Sequence, residues 1–221
     1  MNIGIVGSGN MGRTIGLNWA SKGHNVFFGH RRVEMLETIK NIAGNIPIRT
    51  GTAMEAILNS DVILYCLRNT FPSEIAAQEL WNGKTVIDLN NNWESLKTSG
   101  TDSLAYKYQQ DIPGAHLVKA FNNHAQELFE TDAYVLHKAN TGSFYCGDNI
   151  AANAIVSGLI EDIGLTPIHS GPLSNAYILE NMGHLIKFLM QQRGLMISYG
   201  LTAFPEPEEY KFGGRVASTI K

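Results

Sequence analysis

The chain has 221 residues, a mass of 24.3 kDa and a formal net charge of -3. That charge gives no electrostatic reason to expect nucleic acid or an anionic membrane as a partner. With 44% hydrophobic and 17% charged residues, the composition is that of a folded soluble domain and excludes a disordered chain.

Residues 2–6 form an apolar run that predicts a first strand, followed by a helix from Asn10 to about Lys22 with Met11, Ile15, Asn18 and Trp19 near one face. Val26-Phe27-Phe28 predicts a second strand, and Met35, Leu36 and Ile39 the helix after it. A third strand is expected near Ile46-Pro47-Ile48. The continuously apolar Val62 to Leu67 reads as a central parallel strand covered on both faces. Ile75 to Trp81 suits a helix, and Thr85 to Leu89 a strand. Further on, His116 to Phe121 and Ser143 to Cys146 read as strands. Ile155, Leu159 and Ile163 share a helical stripe, and Thr166 to His169 is a last strand. Gly171-Pro172-Leu173-Ser174-Asn175 is a turn with Ser174 as expected N-cap. The long helix after it carries Met182, Leu185, Ile186, Leu189 and Met190 on an apolar face read as core. Residues 205–221 turn polar and are expected to be a tail or a partner-clasping arm.

Strands alternating with helices predict an α/β, Rossmann-type, doubly wound and mostly parallel sheet with helices on both faces and a small C-terminal helical extension. The expected division is a cofactor-binding unit over residues 1–145 and an extension over 146–221, with a soft boundary. Cys66 and Cys146 sit in apolar, strand-like runs and read as buried, unpaired thiols. Without a disulfide framework the expected compartment is the reducing cytoplasm. No signal segment opens the sequence, and Lys187 interrupts the best apolar stretch well before the roughly 18 residues of a membrane span.

Gly7-Ser8-Gly9-Asn10-Met11-Gly12 matches G-x-G-x-x-G, and its position between an apolar strand and an amphipathic helix gives the pattern its weight. Gly7 permits the turn, Gly9 lets the backbone approach a pyrophosphate, and Gly12 allows close helix–strand packing. Backbone N–H groups at the helix N-terminus then meet the negative phosphates. The second strand ends in Phe28-Gly29-His30-Arg31-Arg32, with no acid until Glu34. An NAD enzyme usually places Asp or Glu there for the ribose 2′-hydroxyl. Arg31 and Arg32 instead suit a 2′-phosphate, which they can hold with charge-assisted hydrogen bonds.

Three segments fall where strands end and ligands of open α/β sheets sit: Cys66-Leu67-Arg68-Asn69, Asn90-Asn91-Asn92-Trp93 and Phe121-Asn122-Asn123-His124. Their asparagines offer donor and acceptor to a carboxamide or a flavin-type ring edge, although asparagine is also an ordinary loop former. His124 is a conceivable proton donor but reads more simply as a local helix-start partner. His24, His116, His169 and His184 show no paired spacing, so no metal site is expected.

With these residues in place, the chain resembles the NADP oxidoreductases that use an 8-hydroxy-5-deazaflavin coenzyme. It is also similar to the cytosolic domain of the six-transmembrane epithelial metalloreductases. The resemblance rests on Gly4-Ile5-Val6-Gly7-Ser8-Gly9-Asn10-Met11-Gly12, Gly29-His30-Arg31-Arg32, Cys146-Gly147-Asp148 and Gly171-Pro172-Leu173-Ser174-Asn175. It implies NADP contacts for Ser8, Gly9, Asn10, Met11, Arg31, Arg32, Leu67 and Asn122. Asp88-Leu89-Asn90-Asn91-Asn92 and Ala120-Phe121-Asn122 look more like the metalloreductase domain, which leaves the acceptor open between a flavin and a deazaflavin.

The expected function is hydride transfer between NADP(H) and such a small-molecule acceptor, with no catalytic acid or base and with Asn90, Asn91 and Asn122 positioning rings. The last helix is expected to close the acceptor side and to build a homodimer. The rivals are a non-catalytic NADPH-binding sensor and a reductase of the pyrroline-carboxylate or β-hydroxyacid type. For the latter the residues after Cys146 leave little room for a large helical substrate domain.

Replacing Arg31 with Ala should weaken NADPH by about 1.5–3 kcal/mol, the loss of a charged hydrogen bond, and leave NADH nearly unchanged. Calorimetric titration with both cofactors checks this, and equal losses would contradict the assignment of Arg31 to the 2′-phosphate.

Overall fold

The structure, a computed structural model, describes residues 1–94, 96–194 and 198–200. The polar stretch after Pro205 lies outside the described residues. Eight strands form one sheet in the order β3-β2-β1-β4-β5-β6-β7-β8. They are β1 (Asn2–Val6), β2 (Asn25–Gly29), β3 (Arg49–Gly51), β4 (Val62–Tyr65), β5 (Thr85–Asp88), β6 (His116–Ala120), β7 (Gly142–Gly147) and β8 (Thr166–His169). The first six are parallel, β7 turns antiparallel against β6, and β8 runs parallel to β7. The order reverses between β1 and β4, so both strand ends open onto the crevice where α/β sheets bind ligands.

Among the described residues, seven α-helices cover the sheet: α1 (Asn10–Ser21), α2 (Val33–Ala43), α3 (Ala53–Leu58), α4 (Leu104–Asp111), α5 (Ala133–Lys138), α6 (Ile150–Asp162) and α7 (Ala176–Arg193). Because side chains alternate along a strand, the central strands feed two cores. Ile3, Ile5, Leu64, Ile87 and Val118 pack with Trp19 of α1, Ile39 of α2 and Leu159 of α6. Ile63, Tyr65, Val86 and Leu117 pack on the other face with Ile57 of α3, Tyr108 of α4 and Leu179 of α7. No helix among the described residues is long and apolar enough to cross a membrane.

Residue 145 falls inside β7, so the sheet continues from residues 1–145 into 146–200 without a break. Trp19 ties the two stretches directly: it is fully buried, and its Nε1 donates to Leu159 O at 2.9 Å.

The structure corrects several expectations. The third strand forms at Arg49–Gly51 rather than near Ile46-Pro47-Ile48. Ile46 N–H closes a turn onto Ala43 O at 2.9 Å, and Pro47 has no N–H for a ladder. Ile75 to Trp81 is not an α-helix: only Gln78–Trp81 is helical, as a 3₁₀ turn, and residues 75–77 link it to a preceding 3₁₀ turn at Pro72–Glu74. The Trp81 indole takes Ala76 O at 3.1 Å, and Leu80 N–H goes to Ala77 O, so the i→i−4 ladder never forms. Ser174 is not the N-cap of the last helix: Leu173–Asn175 is a 3₁₀ turn that runs directly into α7. The apolar stripe of α7 is only partly core. Ile186 is buried, but Leu185 is 48% exposed, and Ile178 and Phe188 are exposed with it. Cys146 is buried as expected, whereas Cys66 is half-buried at the end of β4. The sequence reading passed over α3, which opens on a capping box. There Thr52 Oγ1 accepts from Glu55 N–H, and the Glu55 carboxylate accepts from Thr52 N–H.

Replacing Trp19 with Ala should cost about 3–5 kcal/mol, and the whole chain should still unfold in one denaturant transition. Hydrogen exchange showing α6 and β8 unaffected would contradict the coupling of the two stretches through Trp19.

Candidate functional site

A cleft of about 740 Å³ opens at the strand ends around the switch point. That lies within the roughly 300–1,000 Å³ typical of small-molecule and cofactor sites. Gly7, Gly9, Asn10, Met11 and Gly12 form one side. The loops after β4, β5 and β6 form its floor, and Gly183, Ile186 and Met190 of α7 form the opposite wall.

The three glycines of the turn have different surroundings. Gly7 sits at φ +98°, where a side chain would be strained, and a Cβ there would meet Leu67 Cδ2 at 2.9 Å. A Cβ on Gly12 would lie 2.5 Å from Gly7 O. A Cβ on Gly9 would meet nothing within 4 Å, so the open space for a ligand lies over Gly9. Gly9 is the N-cap of α1, no side chain caps that end, and its first turn holds no acid. The free N–H groups and the helix dipole therefore face an approaching anion unopposed. These residues fit a pyrophosphate. Ser8 takes another role: it is fully buried, and its Oγ donates to Gly29 O at 3.1 Å, which ties the turn to the end of β2.

At the end of β2, His30 Nδ1 accepts the Arg32 N–H at 2.9 Å. Partial burial and the nearby Arg32 and Arg31 charges hold the His30 pKa below its ordinary value. Arg31 and Arg32 are exposed, and among the described residues no carboxylate pairs with either. The structure thus leaves two guanidinium groups unneutralised beside the turn. They follow β2, the strand beside β1, and do not line the cleft.

Of the segment after β4, Cys66 and Arg68 line the cleft, while Leu67 packs behind Gly7. Burial pushes the Cys66 thiol well above its ordinary pKa, with the Asp88 charge adding to the shift, so it is not a thiolate nucleophile. The asparagines are more committed than their positions suggested. Asn90 is buried, and its Nδ2 donates to Tyr65 O at 3.1 Å and to Asp88 Oδ1 at 3.0 Å, tying β5 to β4. Asn91 Nδ2 donates to Asn122 O at 2.6 Å, and Asn122 Nδ2 donates to Asn91 Oδ1 at 2.9 Å and to Leu179 O at 2.8 Å. These amides spend donors on one another and on α7, so they shape the cleft as well as line it.

Beneath them lies a cluster that the sequence reading missed. Lys119, Asp88 and Glu180 have fully buried side chains, with Lys119 Nζ 2.8 Å from Asp88 Oδ2 and 3.0 Å from Glu180 Oε1. Lys119 and Asp88 are register partners across β5 and β6, and Lys119 Nζ also donates to Asn90 O. Burial alone would lower the Lys119 pKa, but the two carboxylates override it and hold the ammonium charged. The signal was present as a lysine inside the apolar run Leu117-Val118-Lys119-Ala120-Phe121, since a buried charge requires partners.

Next along β6, Phe121 has φ +63°. Such strain in a bulky residue costs on the order of 1–3 kcal/mol and persists only where the surroundings hold it. Here the ring is locked edge-on against Trp19 and Phe129, at 5.8 and 6.0 Å between centroids. The bend brings Asn122, Asn123 and His124 to the cleft. His124 is bonded to a residue distant in sequence rather than at a local helix start: it is buried, its Nδ1 lies 3.2 Å from Ser198 Oγ, and burial pushes its pKa down to about 4. Across the cleft, Lys187 Nζ sits 4.8 Å over the Trp93 ring. In the sequence Lys187 reads only as the charge that interrupts an apolar stretch. Among the described residues, no His/Cys/Asp/Glu group is arranged to hold a metal ion.

Two substitutions separate ligand approach from packing. Gly9→Ala should leave the melting temperature nearly unchanged but weaken NADPH by at least about 1.4 kcal/mol, a factor of ten. Gly12→Ala should destabilise the chain itself. Thermal melts with and without NADPH check both, and a Gly9→Ala variant that binds normally would contradict the placement of the pyrophosphate.

Residues 2–92 match the family model described as NADP oxidoreductase, coenzyme F420-dependent. The chain is 26% identical over 181 residues to Metalloreductase STEAP3 of Rattus norvegicus, covering 80% of this chain and 35% of that protein. It is 23% identical over 210 residues to Metalloreductase STEAP2 of Homo sapiens, covering 92% and 40%. It therefore spans well under half the length of these curated relatives. Among solved structures, a putative F420-dependent NADP-reductase from Arthrobacter sp. FB24 superposes with a TM-score of 0.77 at 21% identity, over 92% of this chain and 100% of that one. An imine reductase from Myxococcus stipitatus in complex with NADP+ gives 0.64 at 14% identity, over 88% and 63%. The family match falls on the stretch that holds the glycine turn, the arginine pair and the first five strands in chain order, and the solved structures share the Rossmann-type fold.

Proposed function

We propose that the chain transfers hydride between NADP(H) and a planar acceptor of the flavin or deazaflavin type. One observation carries this reading: the cleft does not stop at the glycine turn but continues to a wall made by α7. There Trp93, Ile186 and Met190 offer apolar surface to a second ring. A module that only sensed the dinucleotide would have no need of that space.

NADPH supplies the hydride from its nicotinamide, so the protein's part is binding, orientation and exclusion of water. The turn over Gly9 would hold the pyrophosphate, and Arg31 and Arg32 the 2′-phosphate. The Asn91–Asn122 pair would fix the ring-facing surface, and α7 would close the acceptor side. The likeness to the Arthrobacter F420-dependent NADP-reductase supports the fold needed for this division of labour. β7, α6 and β8 complete the sheet rather than form a helical substrate domain, which speaks against the pyrroline-carboxylate and β-hydroxyacid readings.

Mixing the protein with NADPH under air-free conditions should give oxidation that depends on both protein and acceptor, with flavin mononucleotide or an 8-hydroxy-5-deazaflavin as acceptor. NADPH bound tightly but oxidised by neither would sink the proposal.

A further inference from the structure

Eight buried side-chain nitrogen or oxygen atoms lack a hydrogen-bond partner among the described residues, and four of them fall in three consecutive residues at the cleft. They are Asn122 Oδ1, Asn123 Oδ1 and Nδ2, and His124 Nε2. The other four are scattered over Ser60, Ser143, Asn153 and Glu180. Buried polar groups are ordinarily paired, because stripping water from an amide without replacing its bonds is costly. The contrast with the neighbouring loop is sharp: the amide nitrogens of Asn90 and Asn91 are bonded within the protein. Asn123 is fully buried with neither side-chain atom bonded, and the left-handed Phe121 bends the chain to put it there.

We infer that Asn123 and His124 form a recognition subsite for an uncharged planar amide edge, one that presents a carbonyl and an N–H side by side. Asn123 brings an acceptor and a donor in one plane. The imidazole is neutral across the ordinary pH range, since burial takes its pKa to about 4. If the Ser198 hydroxyl donates to Nδ1, the remaining proton sits on Nε2 as a donor. A neutral amide and a neutral imidazole suit an uncharged partner and offer no counter-charge to a carboxylate or phosphate. Two groups have this chemistry: the nicotinamide carboxamide and the cyclic imide edge of a flavin-type acceptor. Both rest on the function proposed above, the first on its cofactor and the second on its acceptor.

The test uses Asn123→Leu, which keeps the volume and removes the polar atoms, with His124→Gln as a second variant. If Asn123 served structure alone, the leucine variant would melt lower. We expect it to melt at the same temperature or higher, because an unpaired buried amide has been removed. Its ligand constants should worsen about tenfold, as for the loss of one or two neutral hydrogen bonds. Calorimetry with NADP+ and with 2′-phospho-ADP-ribose, which lacks the nicotinamide, separates the sources. Weakened NADP+ with unchanged 2′-phospho-ADP-ribose identifies the carboxamide. Unchanged NADP+ with a raised KM for flavin mononucleotide identifies the acceptor edge. Unchanged constants for all ligands in both variants would overturn the inference, whatever the melting temperature. Should the unaltered protein reduce no acceptor, the proposed function fails separately, and the NADP+ comparison alone then decides the subsite.

Discussion

A buried ammonium group organises the ligand side of this protein. Lys119 has no access to water, so its charge must be met from within. Asp88 meets it from the adjacent strand, Glu180 from α7 and Asn90 through its carbonyl. Removing one member of such a cluster leaves an uncompensated charge, at a cost of about 3–5 kcal/mol. The geometric consequence matters as much as the energy. β5, β6 and α7 are drawn to one point just below the strand ends. Asn90 extends the tie to β4, and Asn122 extends it to Leu179 of α7. The far wall of the cleft is thus built before any ligand arrives.

The near wall works by different physics. Over Gly9 there is no side chain, and recognition falls to backbone N–H groups and the dipole of α1. Farther out stand two exposed arginines that no carboxylate among the described residues pairs. In the proposed reading the means of recognition change from guanidinium charge outside the cleft to backbone dipole at its edge, and to uncharged amide and apolar surface within it. That sequence parallels the chemistry of NADPH from its phosphorylated adenosine to its nicotinamide.

Much of this was legible in the residues. The strands around Val6 and Leu64, the glycine turn and the basic pair after β2 all carry local signals that tertiary packing has no reason to override. The failures were equally physical. Ile75 to Trp81 has a helical apolar spacing, but the Trp81 indole captures the carbonyl that a helix would need. The stripe on α7 reads as core because periodicity reports an apolar face and not what lies opposite it; here part of what lies opposite is the cleft. Lys119 was hidden within its strand because its two carboxylates are distant in sequence. Only the fold brings residues 88, 119 and 180 together. The asparagine loops were found by position, but their bonding to one another depends on a register that no single segment encodes.

The most direct measurement is a crystal structure with NADP+ bound. We expect the pyrophosphate over Gly9, the 2′-phosphate within hydrogen-bond reach of Arg31 or Arg32, and the Asn91–Asn122 pair and Lys119 cluster where they stand now. A pyrophosphate bound away from Gly9, or a cofactor that enters only after α7 has moved off the Lys119 cluster, would contradict a cleft built in advance for this dinucleotide.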